Sequence, residues 1–206
     1  MTNSQDVAAS TSTSIHAQQG EAQPALVLVN LGTPTAPEPG PVRAFLREFL
    51  SDRRVIEMSP LLWKPILEGI ILRVRPREVA AKYRSIWMEE GSPLMHYTRE
   101  QARRLGERLP GVRVEVAMRY GQPSIGSVLD CLHADGVRRV AILPAYPQYA
   151  ASTVTTINDA VAQWIGRNRD GFEMRLHRSF PAAPAYIEAL ATALERHWER
   201  VGRPNF

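Results

Sequence analysis

The chain has 206 residues, of which 44% are hydrophobic and 22% charged, and its formal net charge is +4 at pH 7. This length and composition are enough for one hydrophobic core and exclude two full α/β domains. The single cysteine, Cys131, excludes an intrachain disulfide and a cysteine-rich metal cluster within the chain, and it favours a reducing, cytoplasmic setting.

The sequence begins with a segment that predicts no ordered structure. Residues 1–23 are rich in Ser, Thr, Gln and Ala and contain neither Lys nor Arg, so we expect a disordered tail rather than a signal or transit peptide. The run ALVLVN at 25–30 is continuous, apolar and followed by Gly32, which predicts a strand buried on both faces of a parallel sheet. Apolar residues at helical spacing in 41–50 then predict the first helix.

The remaining elements alternate between helix and strand. Helical patterns cover 77–87, 98–109, 123–132, 153–167 and 184–200, and strand patterns cover 112–120, 138–144 and 172–178. Pro123 is expected to open the third of these helices. From residue 112 onward, strands and helices alternate with short connections. This order predicts a Rossmann-like α/β fold, a doubly wound parallel sheet flanked by helices and joined by right-handed crossovers.

The segment 59–76, SPLLWKPILEGIILRVRP, lies outside this alternation. Its large apolar residues are interrupted by Lys64 and Glu68. Ordinary core packing is one interpretation, but we favour a lid or a membrane-facing lip, because the segment is not one of the elements that build the sheet. No stretch of the sequence approaches the apolar length of a membrane span. We therefore expect a cytoplasmic protein whose membrane contact is peripheral and made through 59–76.

The positive charge is scattered along the sequence rather than clustered, with 25 Lys and Arg against 21 Asp and Glu. Scattered basic residues fit a small anionic ligand or an acidic membrane surface. They give little support to a nucleic-acid partner, and we expect none.

In a doubly wound sheet, the ligand binds at the carboxyl ends of the strands. The segments 30–34, 118–120 and 144–152 fall at predicted strand ends, so they nominate the site. A dinucleotide is disfavoured, because the turn GTPTAPEPG after the first strand has prolines where a phosphate cradle needs backbone N–H donors.

Several side chains at these strand ends need explanation. Arg119 would be partly buried and needs a partner, and both a neighbouring acidic side chain and a ligand are open as that partner. Tyr120, Tyr146 and Tyr149 together would supply aromatic faces at one rim, although each taken singly could pack in the core. The hydroxyl-rich run 152–156 is best explained as helix capping.

No acid–base catalyst stands out in the sequence. Of the five histidines, only His96 falls near the predicted rim, and a catalytic role is the weaker explanation for it. No two histidines have metal-ligand spacing, and no His-Glu-x-x-His or Cys/His pattern is present. We therefore expect neither a catalytic residue nor a metal ligand in this chain.

Four segments, taken in order, carry a resemblance to a known family. They are Asn30-Leu31-Gly32-Thr33-Pro34, Tyr83 with Gly91-Ser92-Pro93-Leu94, Arg119-Tyr120, and Tyr146-Pro147-Gln148-Tyr149 followed by Ser152-Thr153. Together they resemble the ferrochelatases, most nearly the bacterial protoporphyrin type, over about residues 24–206. The resemblance implies two Rossmann-like domains that face each other across a cleft. In that cleft, ferrous iron, a substrate, would be inserted into protoporphyrin IX to form protohaem.

The resemblance also implies which side chains contact the porphyrin. These are Leu31, Lys82, Tyr83, Ser92, Arg119, Tyr120, Tyr146 and Tyr149. Leu31 falls where some members place a residue against the metal, but a leucine can only pack. The segment 59–76 overlaps the apolar lip of the family. Some members have an iron–sulfur cysteine where this chain has Ala151, so we expect no iron–sulfur cluster.

The resemblance implies that the catalytic histidine and its partner glutamate lie in the carboxyl-terminal half of the family, beyond Phe206. The resemblance therefore implies an amino-terminal portion, with a first domain at 24–180 and a helix at 181–206 that leads into a second domain. We expect this portion alone to be unable to insert metal, because deprotonating pyrrole nitrogens needs a positioned base. An open sheet edge and bare apolar surface also predict poor solubility or self-association.

Two other functions stay open. A non-catalytic tetrapyrrole-binding module would keep the rim and lack the chemistry. An unrelated nucleotide-binding α/β domain is disfavoured by the proline-rich first turn.

Overall fold

The structure of the protein, a computed structural model, describes residues 23–168 and 170–204. Within these residues there are four strands: β1 (Ala25–Gly32), β2 (Arg113–Tyr120), β3 (Arg139–Pro144) and β4 (Glu173–Leu176). The helices are α1 (Pro39–Leu50), α2 (Pro60–Ile66), α3 (Leu72–Ile86), α4 (Pro93–Arg108), α5 (Ile125–Ala134), α6 (Thr156–Arg167) and α7 (Pro184–Val201). Apart from Gln23, the tail predicted at 1–23 lies outside the described residues.

The four strands are parallel and form one sheet in the order β2-β1-β3-β4. Val27 in β1 pairs with Glu115 on one side and with Ile142 on the other. The chain first places β2 beside β1 and then crosses back to place β3 on the opposite side. The predicted doubly wound α/β fold is therefore confirmed, and its switch point lies at the carboxyl ends of β1 and β3.

The main core lies between the sheet and helices α5 and α6. There Val27 and Ile142 meet Leu129 and Trp164, all of them fully buried. The indole Nε1 of Trp164 donates to Oδ1 of Asp130 at 2.7 Å, which joins α6 to α5. Helix α4 contacts β1 and β2. Because helices cover β1 in this way, its continuous apolar run has no solvent-facing alternation.

The side of the sheet beside α4 is less completely covered. A cavity of about 750 Å³ opens there over β1 and β3, and its apolar lining includes Leu28, Leu105, Leu143, Phe180 and Tyr186. Helix α7 has no buried residue, and the large apolar side chains that it exposes are Ile187, Leu190, Leu194 and Val201. The expected bare apolar surface is thus present, whereas self-association stays a prediction.

The prediction that Pro123 opens a helix is wrong. Helix α5 begins at Ile125, and Ser124 caps it by accepting the N–H of Ser127 at 3.1 Å. The carbonyl of Pro123 instead accepts the N–H of Met118 at 2.7 Å. Pro123 is therefore held by β2 rather than by the helix.

The prediction that the hydroxyl-rich run 152–156 caps a helix is also wrong. A π-helical turn, Ala151–Thr155, precedes α6, and neither element has a side-chain cap. The chain enters this turn from an extended Ala150, whose carbonyl accepts the N–H of Val154 at 2.9 Å. The hydroxyl groups are consequently available for other partners.

The segment 59–76 folds into α2, a π-helical turn (Leu67–Ile71) and the start of α3. Leu67 and Leu72 are buried, whereas Leu61 is 87% exposed. The other large exposed apolar side chains of this segment are Leu62, Ile66, Ile70 and Val74. One side of the segment thus anchors it to the fold and the other faces outward. No helix in the part of the chain that the structure describes is both long and apolar enough to cross a membrane.

Candidate functional site

The three segments nominated by the sequence lie at one edge of the sheet, because each includes the carboxyl end of one of the parallel strands β1, β2 and β3. Gly32 is paired with Tyr120 across β1 and β2. Its φ is +114°, and a Cβ added there would lie 1.8 Å from the Tyr120 carbonyl oxygen. Only glycine fits this approach, which brings the segment after β1 against the end of β2.

A buried carboxylate, Asp52, organises this edge. Its side chain is 9% exposed, and Oδ2 accepts hydrogen bonds from Nη2 of Arg119 at 2.7 Å and from the Tyr120 hydroxyl at 2.8 Å. The Thr156 hydroxyl donates to the same oxygen. Nε of Arg119 in turn donates to Oγ1 of Thr156 at 2.5 Å. Four side chains from the loop after α1, from β2 and from α6 therefore form one closed network.

The electrostatics of the network favour an ionised Asp52. Burial by itself would raise the pKa of Asp52, but hydrogen bonds from Thr156, the Arg54 amide and Tyr120, together with the Arg119 charge, hold that pKa below its ordinary value. Burial raises the pKa of Tyr120 to about 12, with a contribution from its hydrogen bond to Asp52. The network at neutral pH therefore consists of a carboxylate, a guanidinium and two neutral hydroxyl groups.

These contacts supply one of the two partners that the sequence left open for Arg119. The partner is an acidic side chain, Asp52. Sequence analysis missed Asp52 as a site residue, since it marked only the end of the first helix. The available signal was the need of a partly buried arginine for a carboxylate, but the sequence does not show which of the 21 acidic residues supplies it.

The three tyrosines do not form a common aromatic rim. The side chain of Tyr120 is fully buried and packs edge to face on Phe49, with 5.2 Å between ring centroids. The expectation that Tyr120 offers a face at the rim is therefore wrong, because its hydroxyl is drawn inward by Asp52. The ring of Tyr146 packs against the main core, and its buried hydroxyl has no hydrogen-bond partner among the described residues. Burial raises the pKa of Tyr146.

Tyr149 is the tyrosine of this set that stands at the surface, with 45% of its side chain exposed. Its hydroxyl lies 2.7 Å from Oγ1 of Thr155. The guanidinium of Arg178 stacks over its ring, 4.4 Å from the centroid. This arrangement fixes the direction of the ring and places a positive charge beside it.

The residues from the second motif lie around α3 and α4. Ser92 is buried and caps α4, since its Oγ accepts the N–H of Met95 at 3.2 Å. Tyr83 is half-buried beside Trp87, and burial raises its pKa. Lys82 is exposed and pairs with Glu78 at 2.8 Å.

A cavity of about 300 Å³ connects the first motif with the second. Its lining includes Thr33, Pro34, Trp87, Ser92 and Arg99. Leu31 is half-buried at the end of β1, and its amide N–H donates to the Asn30 side chain at 2.8 Å. The structure thus brings the turn after β1 together with the start of α4, as the motif order suggested.

Metal-binding groups are sparse in this part of the protein. Among the described residues, no three His, Cys, Asp or Glu side chains are arranged to hold a metal ion. The ring of His96 packs edge to face on Tyr97, with 5.1 Å between centroids. Ala151 begins the π-helical turn, and Cys131 is exposed on α5.

The parallel sheet and the polar and aromatic side chains at its carboxyl edge define a Rossmann-like α/β protein with its candidate site at the switch point. Comparison with family models gives a match to the one described as ferrochelatase, over residues 23–205. The chain belongs to the ferrochelatase family, which confirms the resemblance drawn from the four motifs.

Individual relatives give the same result. The chain is 50% identical over 192 residues to the ferrochelatase of Methylibium petroleiphilum, covering 91% of this chain and 53% of the relative. It is 47% identical over 179 residues to the ferrochelatase of Stenotrophomonas maltophilia, covering 87% and 56%. It is 48% identical over 183 residues to ferrochelatase 1 of Shewanella oneidensis, covering 86% and 55%. The chain therefore spans about half the length of these relatives, in their amino-terminal part.

Among solved structures, a cobalamin (vitamin B12) biosynthesis CbiX protein from Marinobacter aquaeolei VT8 superimposes with a TM-score of 0.47 and 12% sequence identity. The superposition covers 87% of this chain and 98% of that chain.

Proposed function

We propose that this chain forms one wall of the porphyrin site of a ferrochelatase, a lyase that inserts Fe²⁺ into protoporphyrin IX to make protohaem. One observation carries the proposal: three of the four family motifs lie at the carboxyl ends of β1, β2 and β3, where a doubly wound sheet binds its ligand. The second motif joins them through the cavity between Thr33 and Ser92.

The porphyrin would meet two kinds of surface on this wall. Its flat apolar face suits the exposed ring of Tyr149 and the half-buried side chains of Leu31 and Tyr83. Its propionates need cationic donors, for which Lys82 is the exposed candidate. Arg119 is a weaker anion receptor, because Asp52 neutralises its charge in a largely buried pair, whereas the pair of Lys82 with Glu78 is exposed and screened by solvent. We therefore assign Arg119, Tyr120 and Tyr146 to the inner wall, beneath the contact surface.

We propose that the base that removes the pyrrole protons lies outside this chain, so that residues 24–206 bind porphyrin and do not metallate it. The test is a titration of the chain with protoporphyrin IX, followed by Soret absorbance. Tyr149→Ala should weaken binding about fivefold. Tyr97→Ala, which removes an exposed tyrosine outside the three strand-end segments, should leave the affinity unchanged.

Iron insertion is tested with a chimera in which this chain is continued by the carboxyl-terminal half of the Methylibium petroleiphilum relative. The chimera should convert Fe²⁺ and protoporphyrin IX to protohaem, and the chain alone should not. Metallation by the chain alone would refute the missing-base argument. The absence of a Soret change with both proteins would refute the porphyrin assignment.

We propose further that the protein acts in the cytoplasm and that 59–76 touches a membrane surface. The outward side of this segment combines Leu61, Leu62 and Val74 with the basic residues Arg73 and Arg75. Leu61→Glu should reduce co-sedimentation with vesicles that contain anionic lipid. Ile165→Glu, at an exposed apolar position on α6, is the matched control. Equal loss in both variants, or no binding by the unmodified chain, would refute the membrane contact.

Two expected absences complete the proposal. An iron–sulfur cluster is not expected, because Ala151 offers no thiolate and Cys131 lies on α5. Iron analysis of the purified chain tests this, and stoichiometric acid-labile sulfide would contradict it. A nucleic-acid partner is not expected either, because the basic residues are scattered.

A further inference from the structure

We propose that Asp52 is a positioning residue that fixes Arg119 and Tyr120 at the inner wall of the porphyrin site and ties this wall to the lip, 59–76. This inference rests on the proposed function for its meaning in catalysis. Asp52 lies in the loop between α1 and α2, and α2 opens the lip. Asp52 therefore precedes the lip by a few residues along the chain, whereas β2 and α6, which it contacts, follow the lip.

One carboxylate oxygen of Asp52 accepts the hydrogen bonds that fix Arg119 and Tyr120. Oδ2 of Asp52 accepts from Nη2 of Arg119 and from the Tyr120 hydroxyl, at 2.7 and 2.8 Å. Thr156 donates to the same oxygen and accepts from Nε of Arg119. The guanidinium is thus fixed along the edge that carries Nε and Nη2, and Nη1 donates to no described residue. Asp52 determines which way this remaining edge faces.

The other atoms of Asp52 hold the loop that leads to the lip. Oδ1 accepts the N–H of Arg54 at 2.7 Å, and the main-chain carbonyl accepts the N–H groups of Val55 and Ile56 at 3.0 and 2.9 Å. Close by, Nε1 of Trp63 in α2 donates to the carbonyl of Leu50 at 2.7 Å. A displacement of the lip is therefore transmitted to Asp52 through a short, hydrogen-bonded turn.

A carboxylate is needed at this position for geometric and electrostatic reasons together. An asparagine would present only one acceptor oxygen. Its NH₂ group would face the N–H or O–H donors that bind a carboxylate oxygen of Asp52. The asparagine would also leave the Arg119 charge buried without compensation. A second ion pair links the same loop to α6, between Arg54 and Asp159 at 2.7 Å, but both of those side chains are 43% exposed. An exposed pair of this kind contributes little to the fixed geometry.

The two aspartates provide a matched experiment, because Asp52→Asn and Asp159→Asn make the same chemical change in ion pairs of the same loop. Three quantities are compared in the full chain: affinity for protoporphyrin IX, the pKa of Tyr120 from ¹³Cζ-tyrosine NMR, and amide hydrogen exchange in 59–76. Tyr120→Phe assigns the NMR signal. Asp52→Asn should weaken porphyrin binding about tenfold, lower the pKa of Tyr120 from about 12 and speed exchange in the lip. Asp159→Asn should change none of the three.

A second variant covers the case in which Asp52→Asn does not fold. Thr156→Val removes one donor to Asp52 and keeps the ion pair with Arg119, so it should weaken porphyrin binding and speed exchange in the lip to a smaller extent. It should raise the pKa of Tyr120, because the hydrogen bond from the Thr156 hydroxyl lowers that pKa. Thr156→Ser, which keeps the hydroxyl, should restore the unmodified values. An unchanged pKa of Tyr120 and unchanged exchange in 59–76 in the folded variants would overturn the inference. If the unmodified chain binds no porphyrin, the proposed function fails, while the NMR and exchange measurements still decide whether Asp52 links wall and lip.

Discussion

Gly32 and Tyr120 approach each other so closely that only hydrogen can occupy the side-chain position of residue 32. A Cβ there would meet the Tyr120 carbonyl oxygen at 1.8 Å, and the φ of +114° disfavours any L side chain. Gly32→Ala should therefore lower the free energy of unfolding by about 3 kcal/mol or more. Urea unfolding followed by circular dichroism measures this.

Gly40 supplies the control for that substitution. It lies in α1, and a Cβ added there would meet nothing within 4 Å. Gly40→Ala should raise the free energy of unfolding by up to about 1 kcal/mol, because alanine has the higher helix propensity. Equal effects of the two substitutions would contradict the steric account of the β1–β2 contact.

Ser92 has a structural role that must be separated from substrate binding. Its Oγ caps α4, just as Oγ of Ser124 caps α5. Ser92→Ala and Ser124→Ala should each cost about 1 kcal/mol of unfolding free energy. Only Ser92→Ala should also weaken protoporphyrin IX binding, because the resemblance to ferrochelatases implies that this serine contacts the porphyrin. The same loss of affinity in both variants would mean that helix stability, not contact, controls binding.

The sheet was predictable because its signals are local. The apolar run 25–30 and the alternation at 112–120 have the composition of strands, and their order with the helices fixes parallel winding. Helix starts were less predictable, since a proline such as Pro123 is compatible with several positions before a helix. The partner that held it, the N–H of Met118, belongs to another element.

The site was predictable only as a set of segments. Motif order brought 30–34, 118–120 and 144–152 to one edge, but the orientation of each side chain depended on contacts distant in sequence. Tyr120 faces inward because its hydroxyl reaches Asp52, which is 68 residues away. A single sequence does not encode such a pairing in any local pattern.

Helix α7 carries an exposed apolar stripe that should drive self-association. Ile187, Leu190 and Leu194 are 51%, 51% and 46% exposed along one helix without buried residues. Such a patch should make the sedimentation coefficient of the chain rise with concentration. The double substitution Leu190→Glu with Leu194→Glu should abolish the rise, whereas Ala189→Glu with Ala193→Glu, at exposed alanines, should not. A concentration-independent monomer would contradict this prediction.

Acid should remove the stabilisation that Asp52 provides. The pKa of Asp52 in the folded protein lies below its ordinary value of 3.8. The stabilisation by the ionised carboxylate is therefore fully present above pH 3.8 and is lost as the pH falls through the pKa of the folded protein. At neutral pH, Asp52→Asn should cost about 3 kcal/mol, because it leaves Arg119 buried and unpaired. The difference between the two proteins should stay constant from about pH 7 to pH 5 and shrink below pH 4. A difference that grows on acidification would contradict the assignment.

High pH should remove the stabilisation that Tyr120 provides. Its pKa is about 12 in the folded protein and 10.0 ordinarily, so the neutral phenol stabilises the fold fully below pH 10, and this contribution is lost as the pH rises through 12. Tyr120→Phe should be less stable than the unmodified chain at neutral pH, since Asp52 loses a donor, and the difference should shrink above pH 10. Tyr146→Phe is the control: its hydroxyl is buried without a partner among the described residues, so its removal should leave neutral-pH stability unchanged or raise it. Equal destabilisation by both substitutions at pH 7 would show that the hydrogen bond to Asp52 is not what distinguishes the two tyrosines.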